Sequence, residues 1–169
     1  MAMRPAHMIE AFALVELLKE QHTRSRYLGV TDIDPTFARR LLAQAIQRHG
    51  QTTDGGTLVN VIDDREGRVV AFMVGVLNRI YHVGTGLCAQ DMFLVAGEGA
   101  PALAAPKLLS AYIQWASTNP RVLEINLSHT DALPEGDRMG PLYERIGFTR
   151  CGGIYRRDTS ALSTKEAAA

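Results

Sequence analysis

The sequence has no excess charge of either sign and no long apolar run. Its 18 Lys and Arg residues balance 18 Asp and Glu residues, so the composition gives no electrostatic reason to expect a nucleic acid or an acidic membrane as a partner. No apolar run approaches the roughly 20 residues that span a bilayer, and the first residues lack the basic-then-apolar pattern of a secretory signal. We therefore expect a cytoplasmic protein with neither a nucleic-acid nor a membrane partner.

Cysteine is also scarce. Cys88 and Cys151 are the two in the sequence, which is too few for a disulfide framework and is typical of a reducing compartment. Neither has an obvious base partner, so a thiol nucleophile is not expected. The five histidines are scattered and show no metal-ligand spacing with either cysteine. We therefore predict no metal site.

The remaining composition is that of one ordinary globular domain, with 169 residues of which 46% are hydrophobic and 21% charged. We expect this domain to cover residues 1–158 and residues 159–169 to form a disordered tail. Hydrophobic periodicity predicts a short strand within 1–6, helices at 8–20 and 35–49, strands at 57–63, 68–77 and 87–95, a helix through 108–115 and a strand at 122–127. The links between the three consecutive strands are too short for helical crossovers, so we expect an antiparallel meander.

A short helix followed by a strand is predicted near the C-terminus. Pro141 suits the first position of a helix, and Gly147 suits a left-handed cap at its end. Strands are predicted at 148–150 and 154–157. Tyr143 would then lie on a short, rigid helix that leads into the sheet.

The stretch Leu142-Tyr143-Glu144-Arg145-Ile146-Gly147-Phe148 resembles the Leu-Tyr-Glu-x-x-Gly-Phe signature of the GNAT superfamily of N-acetyltransferases. The order of elements resembles that fold over roughly residues 1–158. The resemblance implies an α/β fold of the GNAT type, in which helices flank a mixed central sheet with an antiparallel meander. Residues 72–82 and 89–95 are also similar to small phage-encoded members, which would place the protein in the cytoplasm of a host cell.

The resemblance also implies acetyl-CoA as a co-substrate. In the superfamily this molecule lies in a V-shaped gap between two splayed strands, and backbone N–H groups at the beginning of a helix hold its diphosphate. The residues of this chain that the resemblance assigns to the coenzyme site are Leu94, Val95, Ala96, Gly97, Gly99, Ala104 and Ala105.

The loop that would hold the diphosphate departs from the superfamily pattern Val-x-Pro-x-x-Arg-Gly-x-Gly-x-Gly/Ala. The arginine position holds Ala100, and the first two glycine positions hold Pro101 and Leu103. Pro101 has no N–H to donate, and Leu103 puts a side chain where glycine would let the backbone approach a phosphate. The alternative interpretation is a plain strand-to-helix turn that holds no phosphate.

Two residues are candidates for the chemistry. The tyrosine of the superfamily signature, here Tyr143, often protonates the departing thiolate, and tyrosine carries its proton at neutral pH. Superfamily members that use a strand carboxylate as base carry it on the strand of Asp91, which lies four residues before Val95 and would share its face. The alternative interpretation is that Tyr143 is a packed residue with its hydroxyl bonded elsewhere and that Asp91 is bonded to nearby backbone. A further candidate is His129, which could relay a proton.

We therefore predict N-acetylation of a small-molecule or protein amine by direct attack on the thioester of acetyl-CoA. The alternative is a catalytically inert protein of the same fold that serves as a binding or structural component, for example of a phage particle. The altered loop favours the alternative, and the preserved signature favours the enzyme. The acceptor would be shaped by residues 24–29 and 78–86, and a homodimer is compatible with either function.

Overall fold

The computed structural model describes residues 2–134 and 136–157, and these form one five-stranded sheet with helices on both faces. The strands and helices are β1 (Met3–Pro5), α1 (Ala11–His22), α2 (Pro35–Gln47), β2 (Thr57–Asp63), β3 (Val69–Arg79), β4 (Leu87–Ala96), α3 (Ala104–Ala116), β5 (Val122–Asn126) and α4 (Met139–Arg145). The tail predicted at 159–169 lies outside the described residues.

The sheet is mixed, as predicted. Its strands lie side by side in their order along the chain. Neighbours from β1 to β4 are antiparallel, and β5 is parallel to β4. The antiparallel meander of β2, β3 and β4 is therefore confirmed. In the described part of the chain, no helix has the length and apolar character needed to cross a membrane.

The two N-terminal helices begin where local hydrogen bonds allow. Asp34 accepts hydrogen bonds from two backbone N–H groups of the first turn of α2, and Pro35 occupies the first helical position, as predicted. α1 begins at Ala11 instead of residue 8, because residues 8–10 form a single 3-10 turn before it. Apolar spacing predicted both helices, but the hydrogen bonds of the first turn determine their starts.

The helices divide the core into two layers, one on each face of the sheet. The layer under α1 and α2 includes the buried residues Leu14, Val15, Leu42, Val59, Phe72 and Val95. The layer under α3 and α4 includes Met73, Leu77, Leu108, Tyr112, Trp115 and Tyr143. β3 contributes fully buried side chains to both layers, which is why its sequence is apolar on both faces.

The two strands predicted between residues 148 and 157 are wrong. Within the described residues, the chain after α4 forms no strand, and the side chains of Ile154 and Tyr155 are 76% and 98% exposed. Arg156 donates to both carboxylate oxygens of Asp131, at 2.7 and 2.9 Å. This ion pair ties the segment to the loop after β5 instead of to the edge of the sheet.

Candidate active site

β4 and β5 pair over only part of their length. β5 pairs with Leu87–Gln90, the first part of β4. Over Asp91–Ala96, β4 pairs with β3 alone among the described residues. An open strand edge offers main-chain hydrogen bonds to an extended ligand. The coenzyme residues predicted on this open part of β4 are Leu94, Val95 and Ala96.

A β-bulge in β4 sets the direction of Asp91. Phe93 lies opposite Val74 of β3, whereas Asp91 lies opposite the next residue, Gly75. β4 therefore has one extra residue between these pairs, and this residue breaks the period of two. The prediction that Asp91 and Val95 share a face is wrong for this reason. Val95 is in the layer under α1, whereas Asp91 lies opposite Gly75, whose Cβ position faces Tyr112 of α3.

Packing on the α3 side explains the glycine opposite Asp91. A Cβ atom on Gly75 would lie 2.5 Å from the ring of Tyr112, so a larger residue would displace that ring. The Tyr112 hydroxyl donates to Asn126 O at 3.0 Å. α3 is thereby connected to the end of β5, at the point where β4 and β5 stop pairing.

Ser128, two residues after β5, brings the two predicted catalytic residues together. Oδ1 of Asp91 accepts hydrogen bonds from Ser128 N at 2.9 Å and from Ser128 Oγ at 3.0 Å. The hydroxyl of Tyr143 donates to Ser128 O at 3.2 Å. One residue therefore orients both side chains beside the open edge of β4.

Burial shifts the proton affinity of both groups upward. Removal from water raises the pKa of the Asp91 carboxyl, and the hydrogen bonds from Ser128 oppose this rise. Burial, together with the negative charge of Asp91, raises the pKa of Tyr143 to about 12. Tyr143 therefore keeps its proton throughout the neutral range, and the ionised Asp91 binds a proton more strongly than an exposed carboxylate does.

Two aromatic rings flank the ring of Tyr143. The centroid of the His129 ring lies 6.1 Å away, and that of Phe148 lies 6.4 Å away. The Tyr143 side chain itself is 7% exposed. These contacts restrict its orientation, and they put the predicted relay residue His129 next to the candidate acid.

The end of α4 holds Tyr143 through a backbone cap. Gly147 has a φ of +96°, the left-handed conformation that was predicted for it. Its N–H donates to Glu144 O at 3.0 Å, and the N–H of Phe148 donates to Tyr143 O at 3.0 Å. This pair of hydrogen bonds is the Schellman motif, so the predicted glycine cap is confirmed.

The start of α4 differs from the prediction. The helix begins at Met139, directly after a 3-10 turn at Gly136–Arg138. Pro141 is therefore the third helical residue and not the first. Proline is tolerated there because the N–H groups of the first turn have no acceptor within the helix.

The loop between β4 and α3 uses several of its own N–H groups. Gly97 N donates to Val70 O at 3.0 Å, and Ala100 N donates to Gly97 O at 3.0 Å. Ala104 N donates to Pro101 O at 2.8 Å. Donors that form these internal hydrogen bonds are not directed at a ligand, so the loop is a poorer anion site than a glycine-rich loop.

A carboxylate from α1 occupies a further N–H of this loop. Glu98 N donates to Glu20 Oε1 at 2.7 Å, and a Cβ atom on Gly97 would lie 3.1 Å from both Glu20 carboxylate oxygens. The other predicted coenzyme residues are Gly99, in the same loop, and Ala105, in the first turn of α3. The loop therefore holds a protein carboxylate at the place where the diphosphate was predicted.

Ser128 and Glu20 were not found by sequence reasoning. A hydroxyl residue shortly after a strand is common in loops, so Ser128 has only a weak signal. Glu20 lies 78 residues from its partner Glu98, and a glutamate near a helix end is ordinarily solvated. Only the packing of α1 against β4 brings this carboxylate to the loop.

Comparison with known proteins supports the fold. No protein-family model matches the sequence, and no curated protein is significantly similar to it. Among solved structures, the BH1408 protein of Bacillus halodurans has a TM-score of 0.72 at 17% identity, over 94% of this chain and 99% of that one. Glucosamine-6-phosphate N-acetyltransferase from Arabidopsis thaliana has a TM-score of 0.65 at 10% identity, over 94% and 97%. Ribosomal-protein-alanine N-acetyltransferase from Brucella melitensis has a TM-score of 0.62 at 17% identity, over 94% and 99%.

These likenesses cover almost the whole of each chain. At such low sequence identity, they establish the architecture of the protein and not its activity. The shared architecture includes the five-stranded mixed sheet and the helices that flank it. The protein therefore has the GNAT fold, which it shares with proteins named as N-acetyltransferases.

Proposed function

We propose that the protein is an acetyl-CoA-dependent N-acetyltransferase in which an amine attacks the thioester directly. The observation that carries this proposal is the joint attachment of Asp91 and Tyr143 to Ser128, beside the open edge of β4. A carboxylate that accepts a proton and a phenol that donates one supply two of the roles that this reaction requires. They lie beside the part of β4 that β5 leaves unpaired, and the resemblance to the superfamily implies a coenzyme between splayed strands, which supports the proposal.

The reaction assigns opposite tasks to the two side chains. The amine nitrogen forms a bond to the thioester carbon, and the carbon–sulfur bond breaks. Asp91 takes one proton from the ammonium form of the acceptor, which frees the lone pair of the nitrogen for attack, and burial makes this carboxylate a stronger base. Tyr143, with a pKa raised to about 12, gives its proton to the leaving sulfur. Its hydroxyl must turn from Ser128 O towards the sulfur to do so. The tyrosinate regains a proton when the nitrogen of the tetrahedral intermediate loses its second proton and the amide forms.

The acceptor is proposed only as an amine. One structural neighbour is named for glucosamine 6-phosphate, a small molecule, and another for the alanine of a ribosomal protein. Proteins of the same fold are thus named for acceptors of both predicted classes. The fold alone therefore does not favour a small-molecule amine over a protein amine.

A second candidate function is a GNAT-fold protein without catalysis, which serves as a binding or structural component, for example of a phage particle. The contact between Glu20 and the β4–α3 loop favours it, because a carboxylate there opposes a diphosphate. Pro101 and Pro106, which have no N–H to donate, favour it as well.

Titration with acetyl-CoA separates the two candidates. An enzyme should give saturable heat in calorimetry, and its melting temperature should rise because the ligand binds only the folded state. At a ligand concentration about 100 times Kd, the gain is about 2.7 kcal/mol, or roughly 5–10 °C for a chain of this size. ADP at the same concentration is the control for unspecific nucleotide binding. Absence of both heat and stabilisation at millimolar acetyl-CoA would contradict the enzyme and favour the inert protein.

A further inference from the structure

We propose that the carboxylate of Glu20 competes with the diphosphate of the coenzyme for a backbone N–H of the β4–α3 loop. The carboxylate occupies this donor and must leave when a diphosphate binds there. The inference rests on the proposed function, since it concerns the affinity for acetyl-CoA. It assigns a role to a residue of α1 that lies outside the motif and the loop pattern of the superfamily.

The contact between Glu20 and the β4–α3 loop is short. Glu20 Oε1 accepts from Glu98 N at 2.7 Å, a distance typical of hydrogen bonds to a charged acceptor. Leu17, one turn earlier on α1, lies against the same part of the loop, 2.9 Å from the position of a Cβ on Gly97. Because Leu17 is 8% exposed, core packing fixes α1 at the loop and presents the Glu20 carboxylate to it.

The charges around the loop make this contact a competition. Glu98 adds a second acidic side chain next to the donor that Glu20 occupies. Arg24 reaches the loop as well, and its Nη2 donates to Ala96 O at 3.4 Å. A bound diphosphate would add negative charge within a few ångströms of Glu20, and like charges at this distance repel each other. Withdrawal of Glu20 removes this repulsion and releases the N–H of Glu98.

The competing explanation is that Glu20 only keeps the loop in shape. In that case the carboxylate acts like a cap on a backbone donor and has no specific relation to phosphate. Glu20→Gln separates the two explanations, because an amide keeps an oxygen acceptor for the N–H of Glu98 and removes the charge.

The experiment compares Glu20→Gln with Glu16→Gln on two ligands, acetyl-CoA and S-acetylpantetheine. Glu16 lies on the same helix, is exposed and pairs with Lys19 at 2.8 Å, so its variant controls for the loss of one negative charge. S-acetylpantetheine has the thioester arm and no phosphate. We expect Glu20→Gln to lower Kd for acetyl-CoA by about five- to tenfold and to leave Kd for S-acetylpantetheine unchanged. Glu16→Gln should change neither.

Other outcomes overturn the inference. An equal or weaker affinity of Glu20→Gln for acetyl-CoA, or the same change for both ligands, would show that Glu20 only shapes the loop. Wild-type binding without tightening in the variant overturns this inference and leaves the proposed function standing. If neither the wild type nor the variant binds acetyl-CoA, the result contradicts both this inference and the proposed function. Glu20→Ala is measured alongside, and circular dichroism verifies that each variant is folded.

Discussion

At the scale of single residues, Ser128 connects the two catalytic candidates through hydrogen bonds. Its N–H and hydroxyl both donate to Asp91, and its carbonyl oxygen accepts a hydrogen bond from the hydroxyl of Tyr143. A donor and an acceptor are therefore oriented by the same backbone segment, and a displacement of that segment would move both. Because the Tyr143 pKa is raised to about 12, the phenol carries its proton throughout the neutral range, although the same shift makes it a weaker acid than an exposed tyrosine.

Replacement of Tyr143 by Phe tests its role as the acid. The variant keeps the ring and its contacts with His129 and Phe148 but has no proton for the leaving sulfur. We expect kcat to fall by about 100-fold, while the Kd for acetyl-CoA changes by less than about twofold. Steady-state kinetics and calorimetry measure the two quantities. Tyr155→Phe, at a side chain that is 98% exposed, is the matched control, and an unchanged kcat in Tyr143→Phe would remove Tyr143 as the acid.

Part of this residue-level arrangement was predictable from the sequence. The motif selected Tyr143, and the strand position selected Asp91. The face of Asp91 was not predictable, because a single extra residue in β4 reverses it and the sequence carries no glycine or proline there to mark a bulge. Glu20 could not be found, because its contact depends on how two distant elements pack.

At the scale of elements, α4 is the part of the site that is held in place by both a backbone cap and core packing. Its seven residues are too few to be stable as an isolated helix, so the Schellman cap and the packing of Tyr143 must hold it. The cap was predictable because one left-handed glycine after an apolar turn is a local signal. The strands expected after it were wrong, since Arg156 is bound to Asp131, a long-range contact that local patterns do not contain.

Replacement of Gly147 by Ala tests the cap. Gly147 has a φ of +96° with no atom near its Cβ position, so the added methyl group creates backbone strain without a steric clash. We expect the free energy of unfolding to fall by about 1–2 kcal/mol, measured by urea denaturation. Gly153→Ala is the control, because Gly153 has open space and no positive φ. Equal stability of the two variants would show that the cap does not hold α4.

At the scale of the whole molecule, two buried tyrosines, Tyr112 and Tyr143, belong to the core layer under α3 and α4, on the side of the sheet where Asp91 lies. Tyr112 belongs to α3 and packs against Gly75, and Tyr143 belongs to α4. Burial is the largest cause of the raised pKa of each, and the charge of Asp91 adds to both. The candidate site and the core are therefore continuous, and ionisation of these two tyrosines should affect the stability of the fold as a whole.

The expected result is a loss of stability at high pH. Unfolded tyrosine loses its proton near pH 10.0, whereas folded Tyr143 keeps it to about pH 12, so unfolding releases a proton between these values. The stabilisation from this shift is complete below pH 10 and is lost as pH rises towards 12, at up to about 1.4 kcal/mol per pH unit for each such group. Urea denaturation of the wild type and of Tyr143→Phe at pH 8, 10 and 11 measures this loss, since all other titrating groups are common to both proteins. The decrease from pH 10 to 11 should be smaller in the variant, and parallel decreases would show that Tyr143 is not protected from ionisation in the folded state.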